Sequence, residues 1–396
     1  MTIHELVASL EPEINAVRQQ IHENPELGLK EYNTSALIEK ELREKTHVDR
    51  IEHIGETGLL VEIKGTKPGT AHCIALRGDM DALPIKEDES HELRSRTDGI
   101  MHACGHDVHT SILLGAVRVL EHYRNQIAGS ILFFFQPSEE TLQGGKLFAE
   151  SPEIDFHTID GVAALHVTPD LCAGKIGVRY GAILGSSDEL TITVKGKGGH
   201  GAHPDTVIDP ILLAAQIVQA LQMLVSRELA ADESGVVSLC SIQGGNAFNI
   251  IPDSVVLKGT IRALDPKVRE HILKRIPEIC KGIAVAGRGD AEVNIKLGPP
   301  PLVSDSQWVD RVKRCGSKLL GHENVIELAH PSMGAEDFAF VMEKAPGVFV
   351  RFGSRSEGGP YGGLHSPHFY CDRKALTTGI LTLAGIALDF FDVDFE

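Results

Sequence analysis

The chain has 396 residues, with 55 acidic against 38 basic side chains and a formal charge of −17, a balance that excludes a basic nucleic-acid binder, whose phosphate contacts need clustered Lys and Arg. The 42% hydrophobic content excludes a mostly disordered chain, and no apolar run approaches the ~20 residues of a membrane span. Met1 to Leu10 lacks the basic-then-apolar pattern of a secretory signal, and seven dispersed cysteines without a C-x-x-C pair point to reduced thiols in the cytoplasm.

Leu6, Leu10, Ile14, Val17 and Ile21 recur in steps of three and four and predict a helix over 3–21, stopped by Asn24-Pro25. A second helix is expected from about Thr34 to Lys45. Short apolar runs at 58–63, 72–76, 130–135 and 161–165 predict strands, with a helix at 110–123. Fully apolar strands alternating with helices argue an α/β layer around a mainly parallel sheet. The texture changes after Gly185. Residues 189–194 alternate, with Leu190, Ile192 and Val194 on one face, as in a strand covered on one side. Helix 210–226, strands 236–242 and 255–261, helix 267–284 and strand 291–297 follow, which is the β-α-β-β-α-β order of a ferredoxin-like domain. Gly298-Pro-Pro-Pro301 is a stiff exit linker. Helices at 308–320, 335–344 and 374–391 and a strand at 347–352 return to the first domain. The expected fold is an α/β/α domain with a mainly parallel central sheet, residues 1–185 and 298–396, and an inserted ferredoxin-like α+β domain, residues 186–297.

Polar clusters fall beside the first domain's strands: Arg77-Gly-Asp-Met-Asp81, Met101-His-Ala-Cys-Gly-His-Asp-Val-His109, Gln136-Pro-Ser-Glu-Glu140, and His166 at the end of 161–165. The carboxyl ends of strands in an open α/β sheet form the ligand crevice, so these groups share one rim. A thiolate and an imidazole at Cys104 and His106 suit zinc or a similar borderline ion. Glu139 and Glu140 point opposite ways on an extended segment, so one can bind metal while the other holds a water. Plainer readings exist for each: Cys104 as a small buried hydrophobe, the Glu pair as a solvated loop, His166 as a satisfied core histidine, His365 as a residue of the surface turn Gly362-Gly-Leu-His-Ser-Pro-His368. Jointly they make a five-ligand, two-metal site the economical reading. Asp81 and Asp107 are candidates to hold the second nitrogen of a ligating imidazole, and Asp79 reads equally as a turn residue. In the inserted segment, Lys195-Gly-Lys-Gly-Gly-His-Gly-Ala-His-Pro204 lacks P-loop order but carries two imidazoles, one of which could stabilise an oxyanion. Arg262 suits bidentate carboxylate binding or a surface salt bridge. Asn249, in Asn246-Ala-Phe-Asn-Ile-Ile-Pro252, flanks the same strand.

Six stretches carry a family resemblance: His22-Glu-Asn-Pro-Glu26, Leu76-Arg-Gly-Asp-Met-Asp-Ala-Leu-Pro84, Met101 to His109, Gln136 to Glu140, Gly199-His-Gly-Ala-His-Pro204 and His365-Ser-Pro-His-Phe369. In order, over essentially the whole chain, they resemble the M20 metallopeptidases. The branch resembled is the amidohydrolase one, with N-acyl-amino-acid deacylases, hippurate hydrolases and plant auxin-conjugate hydrolases. The resemblance implies a catalytic domain with a binuclear metal centre and a lid domain through which subunits form a homodimer. By motif position it implies Cys104, His106, Glu140, His166 and His365 as metal ligands and Glu139 as general base. It implies His200, rather than His203, as the oxyanion residue, and Asn249 and Arg262 as holders of the substrate carboxylate. Two divalent ions per subunit (Zn, or Mn, Co or Ni) and a small-molecule substrate are implied, with no nucleic-acid or membrane partner. The expected reaction is hydrolysis of the amide of an N-acyl amino acid. Dipeptidase or carboxypeptidase-like activity and deacetylation of an N-acetyl diamino acid are the alternatives. A metal-free hydrolase with Cys104 as nucleophile and a non-catalytic, zinc-stabilised protein of the same fold are the rivals. One departure stands out: Thr141-Leu-Gln-Gly-Gly145 is less glycine-rich than in many relatives.

Overall fold

Three successive phenylalanines, Phe133, Phe134 and Phe135, are all fully buried, and the period of a strand explains how. Phe133 and Phe135 join the main core. Phe134, pointing the other way, meets Phe148 of the short helix Gly144–Ala149, ring centroids 5.2 Å apart. A continuous apolar run therefore belongs to a strand covered on both faces. The computed structural model describes residues Met1–Phe395, and these strands lie in the larger of two units, Met1–Gly181 with Val303–His330 and Asp337–Glu396.

Its eight-stranded sheet is ordered Arg50–Ile54, Gly58–Lys64, Gly129–Gln136, His72–Asp79, Gly161–Cys172, Gly347–Arg355, Ile176–Val178, Val325–Glu327. The four central strands from Gly129–Gln136 to Gly347–Arg355 are parallel, and antiparallel pairings flank them. Helices Ile3–Glu23, His106–His122, Ser306–Leu320 and Arg373–Phe390 pack on one another and bury Ile14, Val17, Ile112, Leu113, Val312 and Ile380 in the same core. Each such side chain contributes roughly 1.5–3 kcal/mol. Gly379 permits the close approach of two of these helices, since a Cβ there would lie 2.2 Å from Ile112 Cδ1. Helix Tyr32–Lys45 receives no side-chain cap from Glu31. Instead the Glu26 carboxylate accepts Asn33 N–H at 3.1 Å and Thr34 N–H at 2.8 Å, satisfying amides that a helix start leaves free.

Three expectations move. The helix expected over 110–123 begins four residues earlier, at His106. Gly105 turns the chain into it with φ 79°, where a Cβ would also lie 2.7 Å from Val167. The strand expected to end at Leu165 runs on to Cys172 through Pro169, so His166 lies inside it, in register with Arg351. The helix expected over 335–344 shortens to Ala339–Met342, because the Asp337 carboxylate is tied instead to Gly145 N–H (2.7 Å) and Gln136 Nε2 (2.6 Å).

The smaller unit is Ala182–Leu302 with Pro331–Glu336. Its antiparallel sheet is ordered Gly235–Gln243, Ser254–Ala263, Asp188–Lys195, Asp290–Lys296. Leu190, Ile192 and Val194 pack with Leu213, Ile217, Ile272 and Ile276 of the helices Pro210–Met223 and Pro266–Ala286. Asp209 and Asp265 cap those helices just ahead of Pro210 and Pro266. With the π-turn that follows, Pro210–Glu228 is long and apolar enough to match a membrane span by length and composition, with mean hydropathy 1.2. This corrects the expectation that no segment comes close. A third of it is buried, on the side that faces this unit's core.

Candidate metal centre

The central strands bring their polar ends to one rim. Asp79 ends its strand opposite Gln136 of the parallel neighbour, Asp81 follows two residues on, and Glu139 and Glu140 follow Gln136. His166 comes from the next strand, Cys104 and His106 from the start of helix His106–His122, and His365 from an exposed loop. Ligand atoms of Cys104, His106 and His166 lie within 4.8 Å of one another, as do those of Cys104, Glu140 and His365, and those of His106, Glu139 and Glu140. Cys104 Sγ is 3.4 Å from His166 Nε2. Glu140 Oε1 is 3.2 Å from His365 Nε2 and 3.9 Å from His106 Nε2.

The hydrogen bonds fix which ring nitrogens face this point. His106 Nδ1 donates to Asp81 Oδ1 at 3.1 Å and His166 Nδ1 to the Val167 carbonyl at 2.7 Å. Each therefore turns Nε2 inward. His106 Nε2 and Glu140 Oε1 are buried and lack a well-aligned hydrogen bond. Orphaned polar atoms of this kind are expensive, and a cation among them would satisfy both. The donor set fits divalent metal. Burial disfavours a proton on His106, yet Asp79 and Asp81 outweigh it and hold its pKa well above that of an ordinary histidine; the same two carboxylates would favour a cation in place of that proton. Burial keeps His166 neutral, well below the usual imidazole range, as a ligand must be.

Backbone strain concentrates here. Ser138, Leu142 and His365 hold φ of 57°, 58° and 57°, a conformation costing side-chain-bearing residues about 1–3 kcal/mol each.

Some residues behave otherwise than expected. Asp81 does hold a candidate ligand, and it also accepts the Glu139 and Glu140 amides, both at 3.0 Å. Asp107 does not. Its Oδ2 accepts Arg18 Nε and His22 Nδ1, each at 3.0 Å, because the first helix places two cationic side chains closer to it than any candidate ligand. His109 has no role expected from the sequence. Its Nδ1 donates to Asp79 at 2.6 Å and its Nε2 accepts Val167 N–H at 2.9 Å, which anchors the strand beside His166. Nor does the sequence lead one to expect a role for Arg77, which is wholly buried and bonded to Gln136, Asp79 and Asp337. An arginine inside an apolar strand was the available signal, since such a charge demands buried partners.

The Arg18–Asp107–His22–Glu87 network yields a stability prediction. Burial disfavours charge on His22, but Asp107 and Glu87 outweigh it and lift its pKa from 6.5 to about 9. A pKa raised on folding adds stability that is complete below 6.5 and disappears as pH climbs through 9. A shift of that size is worth roughly 3 kcal/mol. The stability advantage of the wild type over His22→Gln in urea melts is expected to be largest near pH 6 and to shrink steadily towards pH 9. A gap independent of pH contradicts the ion pair.

In the smaller unit, Gly199–His200 pairs antiparallel with Ile250–Ile251, which brings His200 beside Asn249, whose carbonyl accepts Gly201 N–H at 2.9 Å. His200 Nδ1 accepts Ala202 N–H at 3.1 Å, so the ring proton sits on Nε2 of an exposed side chain. His203 lies 5.2 Å from it, ring to ring. Arg262 is half-buried on strand Ser254–Ala263.

Known proteins resemble this chain along nearly its full length. The N-acetyl-L-cysteine deacetylase of Bacillus subtilis is 37% identical, with 93% of this chain and 86% of that protein covered. The IAA-amino acid hydrolase ILR1-like 4 of Arabidopsis thaliana is 38% identical, covering 94% and 84%. The crystal structure of the YXEP protein of Bacillus subtilis, described as a dinuclear metal binding peptidase from the M20 family, superposes with a TM-score of 0.84 at 31% identity, covering 98% and 100%. Together with a buried thiol–imidazole–carboxylate cluster on the rim of a parallel sheet, these likenesses define a metal-dependent hydrolase. Residues 75–389 match Peptidase family M20/M25/M40, and the chain belongs to that family.

Proposed function

We propose that the protein hydrolyses the amide bond of N-acyl amino acids, releasing a carboxylic acid and a free amino acid. The observation that carries this reading is the convergence of Cys104, His106, Glu140, His166 and His365, with Glu139 beside them. The relatives named for N-acetyl-L-cysteine and IAA-amino acids support the substrate class. Two divalent ions would be held, one by Cys104, His106 and His166, the other by Cys104, Glu140 and His365, a donor set suited to Zn²⁺, Mn²⁺, Co²⁺ or Ni²⁺. Bound there, they would polarise the scissile carbonyl and acidify water. Glu139 takes the proton of the attacking water and delivers it to the departing amine. Attack on a neutral amide leaves negative charge on the former carbonyl oxygen, and the Nε2–H of His200 donates to it. Arg262 grips the substrate carboxylate with its planar fork, and Asn249 assists.

The test is a screen of N-acetyl, N-benzoyl and longer N-acyl amino acids, with dipeptides alongside, after chelation and separate return of each metal. Turnover of N-acyl amino acids only when metal is restored is expected. Turnover of dipeptides alone contradicts the substrate class, and activity surviving a stringent chelator favours Cys104 as nucleophile. A charge-assisted hydrogen bond of about 1.5–3 kcal/mol makes Arg262→Ala cost roughly 10- to 100-fold in kcat/KM on free acids. An equal loss on the corresponding primary amide contradicts the carboxylate role.

We also infer a homodimer through the smaller unit. Strand Gly235–Gln243 ends its sheet with an unpaired edge, and Leu212 and Ile242, 58% and 59% exposed, leave apolar surface on the same unit. Light scattering at the mass of two chains is expected, and the mass of one chain contradicts it. All seven cysteines are free, which supports a reducing, cytoplasmic setting.

A further inference from the structure

Glu31 is wholly buried, and among the described residues no Lys, Arg or His pairs with it. A carboxylate in that position is expensive, so what it binds matters. Its Oε1 accepts Ser138 N–H at 2.8 Å and Leu29 N–H at 3.0 Å, and its Oε2 accepts the Thr57 hydroxyl at 2.8 Å. Both amides on Oε1 belong to residues with left-handed backbone, φ 57° at Ser138 and 60° at Leu29. Ser138 is the residue immediately before Glu139. Three successive amides, at Ser138, Glu139 and Glu140, thus donate to two carboxylates, the first to Glu31 and the others to the two oxygens of Asp81. Asp81 also holds His106. The segment below the turn fits tightly: a Cβ on Gly28 would lie 2.7 Å from Ser138 Oγ.

We propose that Glu31 is a positioning residue that pins Ser138 in its left-handed conformation and so sets the direction in which Glu139 and Glu140 leave the strand. The proposal rests on the reading of Glu139 as base. A serine has no intrinsic preference for that conformation. Without the Glu31 acceptor the turn would relax, and Asp81 alone would no longer define the path of the two glutamates. A shift of about 1 Å at a base costs on the order of 100-fold in rate, while substrate affinity, set elsewhere, changes little.

The experiment compares Glu31→Gln, Glu31→Asp and Glu31→Leu in the metal-loaded protein on the best N-acyl amino acid. Glu31→Gln keeps an oxygen acceptor for Ser138 and is expected within about 3-fold of wild-type kcat. Glu31→Leu is expected to lose roughly 10- to 100-fold in kcat, with KM changed by less than about 3-fold and full metal content. Glu31→Asp, which retains the carboxylate but retracts it, is expected to fall between and carries the comparison if the leucine variant does not fold. The visible spectrum of the Co²⁺-substituted leucine or aspartate variant should shift, because the ligand Glu140 shares the turn. Wild-type kcat in both Glu31→Leu and Glu31→Asp, equal damage from Glu31→Gln, or an unshifted cobalt spectrum overturns the proposal. Glu139→Gln assayed in parallel separates the two ideas: if it stays active, the base assignment fails, whereas an inactive Glu139→Gln beside a fully active Glu31→Leu removes the role of Glu31 alone.

Discussion

Glu139→Gln is expected to retain both metal ions and to lose about 10³- to 10⁴-fold in kcat, the scale of a general base that also returns the proton. Glutamine preserves the volume and keeps one oxygen, so the turn held by Asp81 and Glu31 stays intact and only proton transfer disappears. Glu139 is buried, at 6% exposure, and adjoins His106 and Glu140, so no bulk buffer can substitute freely for it. KM should change little, because a general base acts in the transition state more than in binding. Near-wild-type turnover would move the base elsewhere. Loss of metal together with activity would instead make Glu139 a ligand.

The second large effect concerns Cys104. It belongs to both of the ligand sets proposed for the two ions, whereas His365 belongs to one. Cys104→Ala is therefore expected to weaken both ions and abolish detectable turnover, a loss of at least about 10³-fold given the several kcal/mol a metal Lewis acid supplies. His365→Ala, on the exposed side, should release one ion and keep the other. Elemental analysis after gel filtration reads the difference, and equal metal loss in the two variants contradicts the shared role. The rival account, Cys104 as a metal-free nucleophile, meets a physical obstacle. Burial raises the pKa of this thiol, so without a cation it stays protonated, and a thiol is a poor nucleophile.

Much of the larger unit was legible because its strands are apolar on both faces, a pattern that survives in one dimension. The motif from Met101 to His109 likewise placed Cys104 and His106 together. What escaped was the support beneath the site. Beyond its near neighbour Leu29, Glu31 reaches Thr57 and Ser138, and beyond Asp79, Arg77 reaches Gln136 and Asp337. Pairings so distant along the chain leave no periodic trace. Asp107 was misjudged for the same reason: it neighbours His106 in sequence, but its partners come from the first helix. The continuation of the His166 strand was hidden by Pro169, which ordinarily argues against a strand interior. The edge strand Arg50–Ile54 has only Ile51 and Ile54 as apolar residues, three apart and without strand alternation, so nothing in its sequence marks it.

The strand Gly347–Arg355 lies beside Gly161–Cys172 in the middle of the larger sheet, yet the whole of Ala182–Leu302 is made between them. The order of synthesis follows. The core of the inserted segment is drawn wholly from residues made before Leu302, so it is complete in the chain well before Pro331–Glu336 joins that unit. The sheet that carries His166 lacks a central neighbour until almost the end of translation, so the metal pocket is among the last parts of the molecule to form, and its distant pairing makes that closing step slow. Until then, the edge of Gly161–Cys172 that Gly347–Arg355 comes to cover has no strand beside it and is open to wrong pairing.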